Sequence, residues 1–396
     1  MQPVIVIPAY SRSKSLKRLL TSVNKSRFDT KNPPKLIISL DGGADQDVVQ
    51  VADTFQFQHG CKTVVKRNEN LGLEKHILWC GDQAQKYGSA IILEDDLFVD
   101  PYFFTYAKKA LQFYQHDLRI AGIALYSPRY SQFNKLGFEA MNNGFSSYFM
   151  QKVCTWGQAW TAKQWTGFRQ WYENVNERQI DANPAIPKTV KNWNSWDKFF
   201  SAYMVEKNCY FVYPYISYTT NCADPGGVHM SKGSNRFHVP LGADNRPEKN
   251  YSFCMFNDSS VRYDAFMEPE AKEVYDALDL SPHDLEIDIY GIKPLSLLKD
   301  KKYVLTIKKC RKPLRVFRLG FRPIEKTILN PVNKFSSGMG YSNHIYFAES
   351  KDIISEKRPF YEQIKYACYY MIETKYCFRN LILRFVKKYL NPFGNF

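Results

Sequence analysis

Ala90-Ile91-Ile92-Leu93-Glu94-Asp95-Asp96-Leu97-Phe98-Val99-Asp100-Pro101 is the stretch on which the reading of this chain turns. Its four leading apolar residues read as a strand buried on both faces, as strands inside parallel sheets are. The run breaks into three carboxylates at the strand's carboxyl end, where open α/β sheets hold their ligands. Adjacent carboxylates repel one another, so folding them together is costly unless a cation or strong donors sit among them. On an extended backbone Glu94 and Asp96 would face one way and Asp95 the other. One pair would then serve a hard divalent cation on a diphosphate, and the remaining acid a sugar or ribose hydroxyl. The alternative is a solvated turn opening the next helix, whose N-terminus favours acids.

Outward from this stretch, apolar runs at 4–7, 35–40, 63–65 and 120–125 alternate with segments of helical spacing at 13–23, 45–55, 72–87 and 101–114. In the first helix Leu16, Leu19, Leu20 and Val23 fall on one face. Strands alternating with helices predict an α/β fold around a mostly parallel sheet with right-handed crossovers. Further on, Gly, Asn and Ser make 137–152 a mobile loop by expectation, 195–208 a helix, 210–218 a strand and 221–249 a long loop. There is no internal repeat.

The chain has 396 residues, which at roughly 150 per domain suggests two or three units. Its 28 Phe, 27 Tyr and 7 Trp suit stacking platforms for sugar rings or belts at a membrane interface, and composition does not choose between them. Nine scattered cysteines, none in a C-x-x-C spacing, read as reduced thiols of a cytoplasmic protein. The N-terminus moves from Met1 directly into a strand without the pattern of a secretory leader, and no window has the apolar length of a spanning helix. Net charge is +15, of which residues 301–396, with 20 Lys/Arg against 6 Asp/Glu, supply nearly all.

Four segments, in order, resemble the GT-A class of glycosyltransferases, especially the family 2 enzymes and the N-acetylglucosaminyltransferase I-like group. Val4-Ile5-Val6-Ile7-Pro8-Ala9-Tyr10 with Ser11-Arg12 is similar to the opening strand and nucleotide-binding turn. Leu40-Asp41-Gly42-Gly43 is similar to the acid that recognises the donor's base or ribose. Arg67-Asn68-Glu69-Asn70-Leu71-Gly72 resembles the N-x-G segment before the DXD strand, and Glu94-Asp95-Asp96 the DXD motif in its E-D-D form. The resemblance covers residues 4 to about 104. It implies a GT-A, Rossmann-like sheet flanked by helices, with donor contacts from Pro8, Ala9, Tyr10, Arg12, Asp41, Arg67, Asn70, Gly72, Glu94 and Asp95. It also implies that Asp96 ligates Mn2+ or Mg2+. Asp41 is equally a turn residue before two glycines, Arg67 a solvated side chain and Tyr10 a core ring.

Inverting transfer needs a base for the acceptor hydroxyl, and Asn194-Ser195-Trp196-Asp197-Lys198-Phe199 resembles the W-D-x-[WF] sequence of the same group. Asp197 is thus the expected base, with Asp181 and Glu173 as substitutes; its other reading is a first-turn aspartate favoured by the helix dipole. Trp156-Gly157-Gln158-Ala159-Trp160 resembles the acceptor-side segment, so that Trp156 and Trp160 either stack on a sugar or pack in the core. The segment 221–229 resembles the family's closing glycine-containing loop, with His229, or its rival His238, as a further metal ligand. Lys232 and Arg236 would clamp the diphosphate. Residues 178–193 and those after 250 have no counterpart in the family.

These expectations divide the chain into a catalytic domain at 1–255, a connecting region at 256–300 and a basic, largely helical extension at 301–396. Phe378, Leu381, Ile382, Phe385, Val386 and Tyr389 form the apolar stripe of a C-terminal helix. That helix is suited to the anionic inner face of a membrane, which would bring the enzyme to a glycan or polyprenyl-linked acceptor, or else to packing on the catalytic domain. Two other functions compete. A nucleic-acid-binding protein would act through the basic tail, but no RRM, KH or zinc-finger pattern accompanies it, and nucleic acid is not an expected partner. A sugar nucleotidyltransferase would open on a glycine-rich, basic turn where this chain has Pro8-Ala9-Tyr10.

Overall fold

The computed structural model describes residues 1–133, 137–226, 236–242, 251–318, 321–330 and 344–354. The chain forms two units, one of Met1–Arg129 and Ala140–Lys272, the other of Tyr130–Glu139 and Glu273–Phe396. The first opens with β1 (Val4–Ala9), α1 (Ser13–Asn24), β2 (Leu36–Leu40), α2 (Gln46–Thr54), β3 (Lys62–Lys66), α3 (Gly72–Tyr87) and β4 (Ser89–Ile92). Strands β1, β2 and β4 are buried along their length, as their predominantly apolar sequences require. On α1 the stripe Leu16, Leu19, Leu20 and Val23 is buried in the same core as Ile5, Ile38 and Ile91. Each such side chain contributes about 1.5–3 kcal/mol on leaving water.

There follow β5 (Leu97–Val99), α4 (Phe103–Tyr114), β6 (Ile120–Ala124), β7 (Ser147–Met150), β8 (Gln158–Thr161), α5 (Ala162–Tyr172), α6 (Glu177–Ala182), α7 (Lys188–Lys191), α8 (Trp196–Glu206), β9 (Tyr210–Pro214), β10 (Thr219–Asn221) and β11 (Arg262–Tyr263). Among the described residues, nine strands form one sheet in the order β11-β7-β9-β6-β8-β4-β1-β2-β3. Strands β1 to β4 pair in parallel, as do β6 with β9. Strand β8 runs antiparallel between β4 and β6, and a capping box of Thr161 and Gln164 starts α5 directly behind it.

Two expectations need correction here. Residues 147–150, placed in a mobile loop, are strand β7, antiparallel to β9 and fully buried. The flanking Gly, Asn and Ser mask a four-residue strand of Ser, Tyr, Phe and Met. The extension after residue 300 is not largely helical where it is described. The second unit contains α9 (Lys272–Ala277), β12 (Leu285–Asp288), α10 (Leu295–Lys299), β13 (Tyr303–Thr306), β14 (Arg315–Arg318), α11 (Lys326–Leu329) and β15 (His344–Glu349), with the four strands in the order β12-β13-β15-β14. Asp288 is buried in it and accepts from Thr306 Oγ1 at 2.9 Å, from the backbone N–H of Lys293 at 2.9 Å and from the Lys308 ammonium, so the buried charges are paired and hydrogen-bonded. The stripe at 378–389 lies outside the described residues. Among the described residues no helix is long and apolar enough to cross a membrane.

Candidate active site

Strand β4 delivers the acidic triplet to the carboxyl edge of the sheet. The chain does not continue extended through it: Leu97 N–H donates to the Glu94 carbonyl at 3.2 Å, and Asp95 and Asp96 occupy the tip of the resulting turn. The expected alternation of side chains is therefore corrected. Asp95 and Asp96 face the same group, the Arg12 guanidinium at the N-terminus of α1. Its Nη1 donates to Asp96 Oδ2 at 3.0 Å, its Nε to Asp95 Oδ2 at 3.3 Å and its Nη2 to Asp95 Oδ1. Burial opposes the charge on Arg12, yet the two aspartates raise its proton affinity above the ordinary value. Burial likewise pushes Asp95 up to about 6, against the pull of Arg12. Glu94 is raised well above the carboxylate range by burial, then by Asp96 and Asp95, and Asp197 adds to the effect. Repulsion within the triplet is thus relieved by a guanidinium and by the raised proton affinity of Glu94.

Asp96 Oδ1 is buried and has no hydrogen-bond partner. An orphaned buried carboxylate oxygen is the donor chemistry that a hard cation takes, so the residues present fit Mn2+ or Mg2+. Among the described residues no group of three or more His, Cys, Asp or Glu is gathered to hold a metal. His229 and Lys232 lie outside the described residues. The rival His238 is described, with its Nε2 at 3.1 Å from the Cys222 carbonyl, while the Cys222 N–H donates to the Asp96 carbonyl at 2.9 Å. Arg236 is exposed at the edge of the same short segment.

On the other flank Pro8 and Ala9 are buried strand residues, whereas the Tyr10 ring is 43% exposed beside them. Asp41 accepts from the N–H groups of Gly42 at 3.0 Å, Leu71 at 2.9 Å and Gly72 at 3.1 Å. Asn70 Oδ1 accepts a second bond from Gly72, whose φ of +74° glycine adopts without strain. The segment that resembles N-x-G is thereby tied to the turn after β2. Gly42 makes this closeness possible, since a Cβ there would lie 2.1 Å from the Glu69 carbonyl carbon. Arg67 donates to Ser39 Oγ at 2.8 Å and stacks 4.1 Å from the Trp79 ring centroid, so it is anchored rather than solvated.

Asp197 stands in the first turn of α8 and accepts from Ser195 Oγ and from the Lys198 N–H at 3.1 Å. Its influence on Glu94 puts it within electrostatic reach of the triplet. Of the substitutes, Glu173 is exposed at the end of α5, and Asp181 is paired at 3.8 Å with Lys198 Nζ. Trp156 is half-buried, edge-on to Tyr126 at 4.8 Å and near Phe237 at 4.6 Å. Trp160 is a correction. It is fully buried among Trp165, Trp196, Phe200 and Phe211, because β8 turns it into the core and not toward the edge.

Three residues at this edge escaped the sequence reading. Arg18 donates to both oxygens of Asp224, which also accepts from Ser15 Oγ at 2.6 Å, and this clasp fixes the segment after β10 against α1. Lys152 is half-buried, with Val153 O its nearest acceptor at 3.5 Å; burial lowers its pKa, while Cys154 and Asp197 pull it back. Asp224 lay within a loop already singled out. Arg18 had no local signal, since its partner is 206 residues away.

Residues 4–172 match the family model described as glycosyl transferase family 2. No curated protein matches the chain in sequence. Solved structures similar to it include S. aureus TarS in complex with UDP-GlcNAc (TM-score 0.37, 13% identity, 59% of this chain and 62% of that one). Others are the mannosyltransferase PcManGT from Pyrobaculum calidifontis in complex with GDP-Man and Mn2+ (0.34, 11%, 54% and 55%) and mouse xyloside xylosyltransferase 1 (0.34, 8%, 53% and 84%). The chain spans less than two thirds of the TarS structures it is similar to, 36% of one and 62% of another.

Proposed function

We propose, for a chain whose residues 4–172 carry a glycosyl transferase family 2 domain, that it transfers a sugar from a nucleoside diphosphate donor to a glycan hydroxyl. The donor in this proposal is UDP linked to a hexose or N-acetylhexosamine, and the transfer inverts the anomeric centre. The observation that carries it is the convergence at one sheet edge of the 94–96 triplet, Arg12, the exposed Tyr10 and Asp197.

In this reading Tyr10 offers its exposed face to the base, and the turn held by Asp41 lines the nucleoside side. Arg12, already facing an anionic site, turns to the diphosphate. Asp96 Oδ1 would hold the divalent cation. When bound, that cation offsets the negative charge that grows on the departing diphosphate. Glu94, whose proton affinity its surroundings raise, hydrogen-bonds to a donor hydroxyl. Asp197 takes the proton from the acceptor hydroxyl as the hydroxyl attacks the anomeric carbon, and Trp156 offers a ring to the acceptor sugar.

Asp197→Asn is expected to lower kcat by ~10² to 10⁴-fold and to leave UDP affinity unchanged. Retention of kcat within a few-fold would move the base to Asp181 or Glu173. Residues 301–318 contain eight Lys/Arg and no Asp/Glu, which supports an anionic inner membrane face as the setting and a lipid-linked glycan as the acceptor.

A further inference from the structure

A groove runs along the outer side of α5, α6 and α8. One part, of about 700 Å³, is lined by Gln170, Trp171, Asn174, Asn176, Gln179 and Asn183 among others. A second part, of about 270 Å³, is lined by Glu74, Tyr172, Trp193, Ser195 and Lys198. Val175 lines both, so the two adjoin. Their combined size suits an organic ligand, since such sites run to ~300–1,000 Å³.

The chemistry of the walls narrows the ligand. Three of the amides spend one end on nearby backbone: Asn176 Oδ1 accepts from Arg178 N at 3.0 Å, Asn183 Oδ1 from Ala185 N at 2.9 Å, and Asn174 Nδ2 donates to Gln170 O at 2.9 Å. Their other ends are left over: two NH₂ groups and one carbonyl. The side-chain amides of Gln170 and Gln179 bond to nothing among the described residues. Trp171 is fixed by a bond from Nε1 to Glu206 Oε2 at 2.9 Å and by Tyr203 at 5.6 Å, and keeps part of its ring exposed. Both lysines on the walls are paired, Lys207 with Glu206 at 3.1 Å and Lys198 with Glu177 at 3.1 Å, and Glu74 accepts from the Tyr172 hydroxyl. Amides that present both donors and acceptors, beside an aromatic face and without surplus positive charge, match the alternating hydroxyls and apolar ring faces of a neutral sugar chain. A nucleotide or another polyanion meets there only lysines already paired with carboxylates.

The groove also points somewhere. Ser195 lines its smaller part and donates to Asp197, the proposed base. Gln179, Ile180, Asn183, Ile186 and Trp193 of its lining come from the stretch at 178–193 that has no counterpart in the family.

We propose that this groove is the binding site for the acceptor, and that the acceptor is a neutral oligosaccharide. Its reacting hydroxyl lies at Asp197, and at least one further sugar is held by Trp171 and the amides. This rests on the glycosyltransferase reading and names the acceptor for it. The test is calorimetric titration of the full chain with maltohexaose, mannohexaose and chitohexaose and with their monosaccharides, alongside UDP with Mn2+. One hexamer is expected to bind at least about tenfold tighter than its monosaccharide, and Trp171→Ala and Gln179→Arg each to remove about that factor while UDP binding persists. Gln179 is exposed on α6, so its variant folds even if the loss of Trp171 loosens α5. Hexamers that bind no better than monosaccharides, or binding that survives both substitutions, would overturn the groove while UDP binding leaves the donor site standing. Failure of the unmodified chain to bind UDP would instead strike the reading on which the groove depends.

Discussion

Ser39 is fully buried between the Arg67 guanidinium and the His76 imidazole, accepting from Arg67 at 2.8 Å and facing His76 Nε2 at 2.8 Å. Burial first, and then Arg67, lowers the His76 pKa to about 4, with Asp41 pulling the other way. The folded value lies below the unfolded value near 6.5, so between the two the unfolded chain binds the extra proton and stability falls as pH drops. From pH 7 to pH 5 the loss from this residue is about 1–2 kcal/mol, and it levels off below pH 4. His76→Gln is expected to flatten the decline in thermal midpoint over that interval, and an unchanged slope would assign the effect elsewhere. The residues of the site were unequally legible. Asp95 and Asp96 announced themselves because three adjacent carboxylates demand an explanation from the sequence alone. Arg12 was read as a donor contact, but its present partners are set by a turn whose geometry no local pattern specifies. Trp160 was left between a sugar site and the core because an aromatic in such a segment reads alike in both, and its burial assigns it to the core.

At the scale of elements, the site depends on short segments held against strand ends. Strand β10 pairs antiparallel with β5, so that the segment after it is carried to the acidic turn, and the clasp of Arg18 on Asp224 keeps it there. On the opposite flank the turn after β2 and the segment 67–72 touch backbone to backbone at Gly42. Neither the Glu69 carbonyl nor the Asn70 N–H can move aside as a side chain would. Gly42→Ala is therefore expected to cost about 1–3 kcal/mol, read as a lower thermal midpoint, and to weaken UDP binding as the segment is displaced. A variant with unchanged midpoint and affinity would show that this closeness is not required. The strands and helices from β1 to β4, and α4, were readable because their apolar periods are unmixed, whereas the three-residue β5 was not read. Strands β7 and β8 were not, since each is four residues long and its neighbours across the sheet come from distant sequence. The groove walls were unreadable for the same reason: capping asparagines look like loop chemistry until α5, α6 and α8 set them around one space.

Across the whole molecule the charge is divided, with nearly all of the +15 carried by residues 301–396 and the first 300 residues close to neutral. The described part of that basic stretch supplies three strands of a small sheet whose fourth, β12, carries the buried Asp288 paired with Lys308, so its cations are displayed by a folded scaffold and not only by a tail. The sugar-transfer chemistry proposed belongs to the near-neutral part, where the acidic turn, Arg12 and Asp197 meet. The most direct measurement is nucleotide release by the purified full chain from UDP-, GDP- and CMP-sugars, with Mn2+ or with EDTA, beside Asp96→Ala. Release from one donor, dependent on the cation and lost in Asp96→Ala, is the predicted result. Folded protein that neither binds nor releases any of these nucleotides would contradict the account.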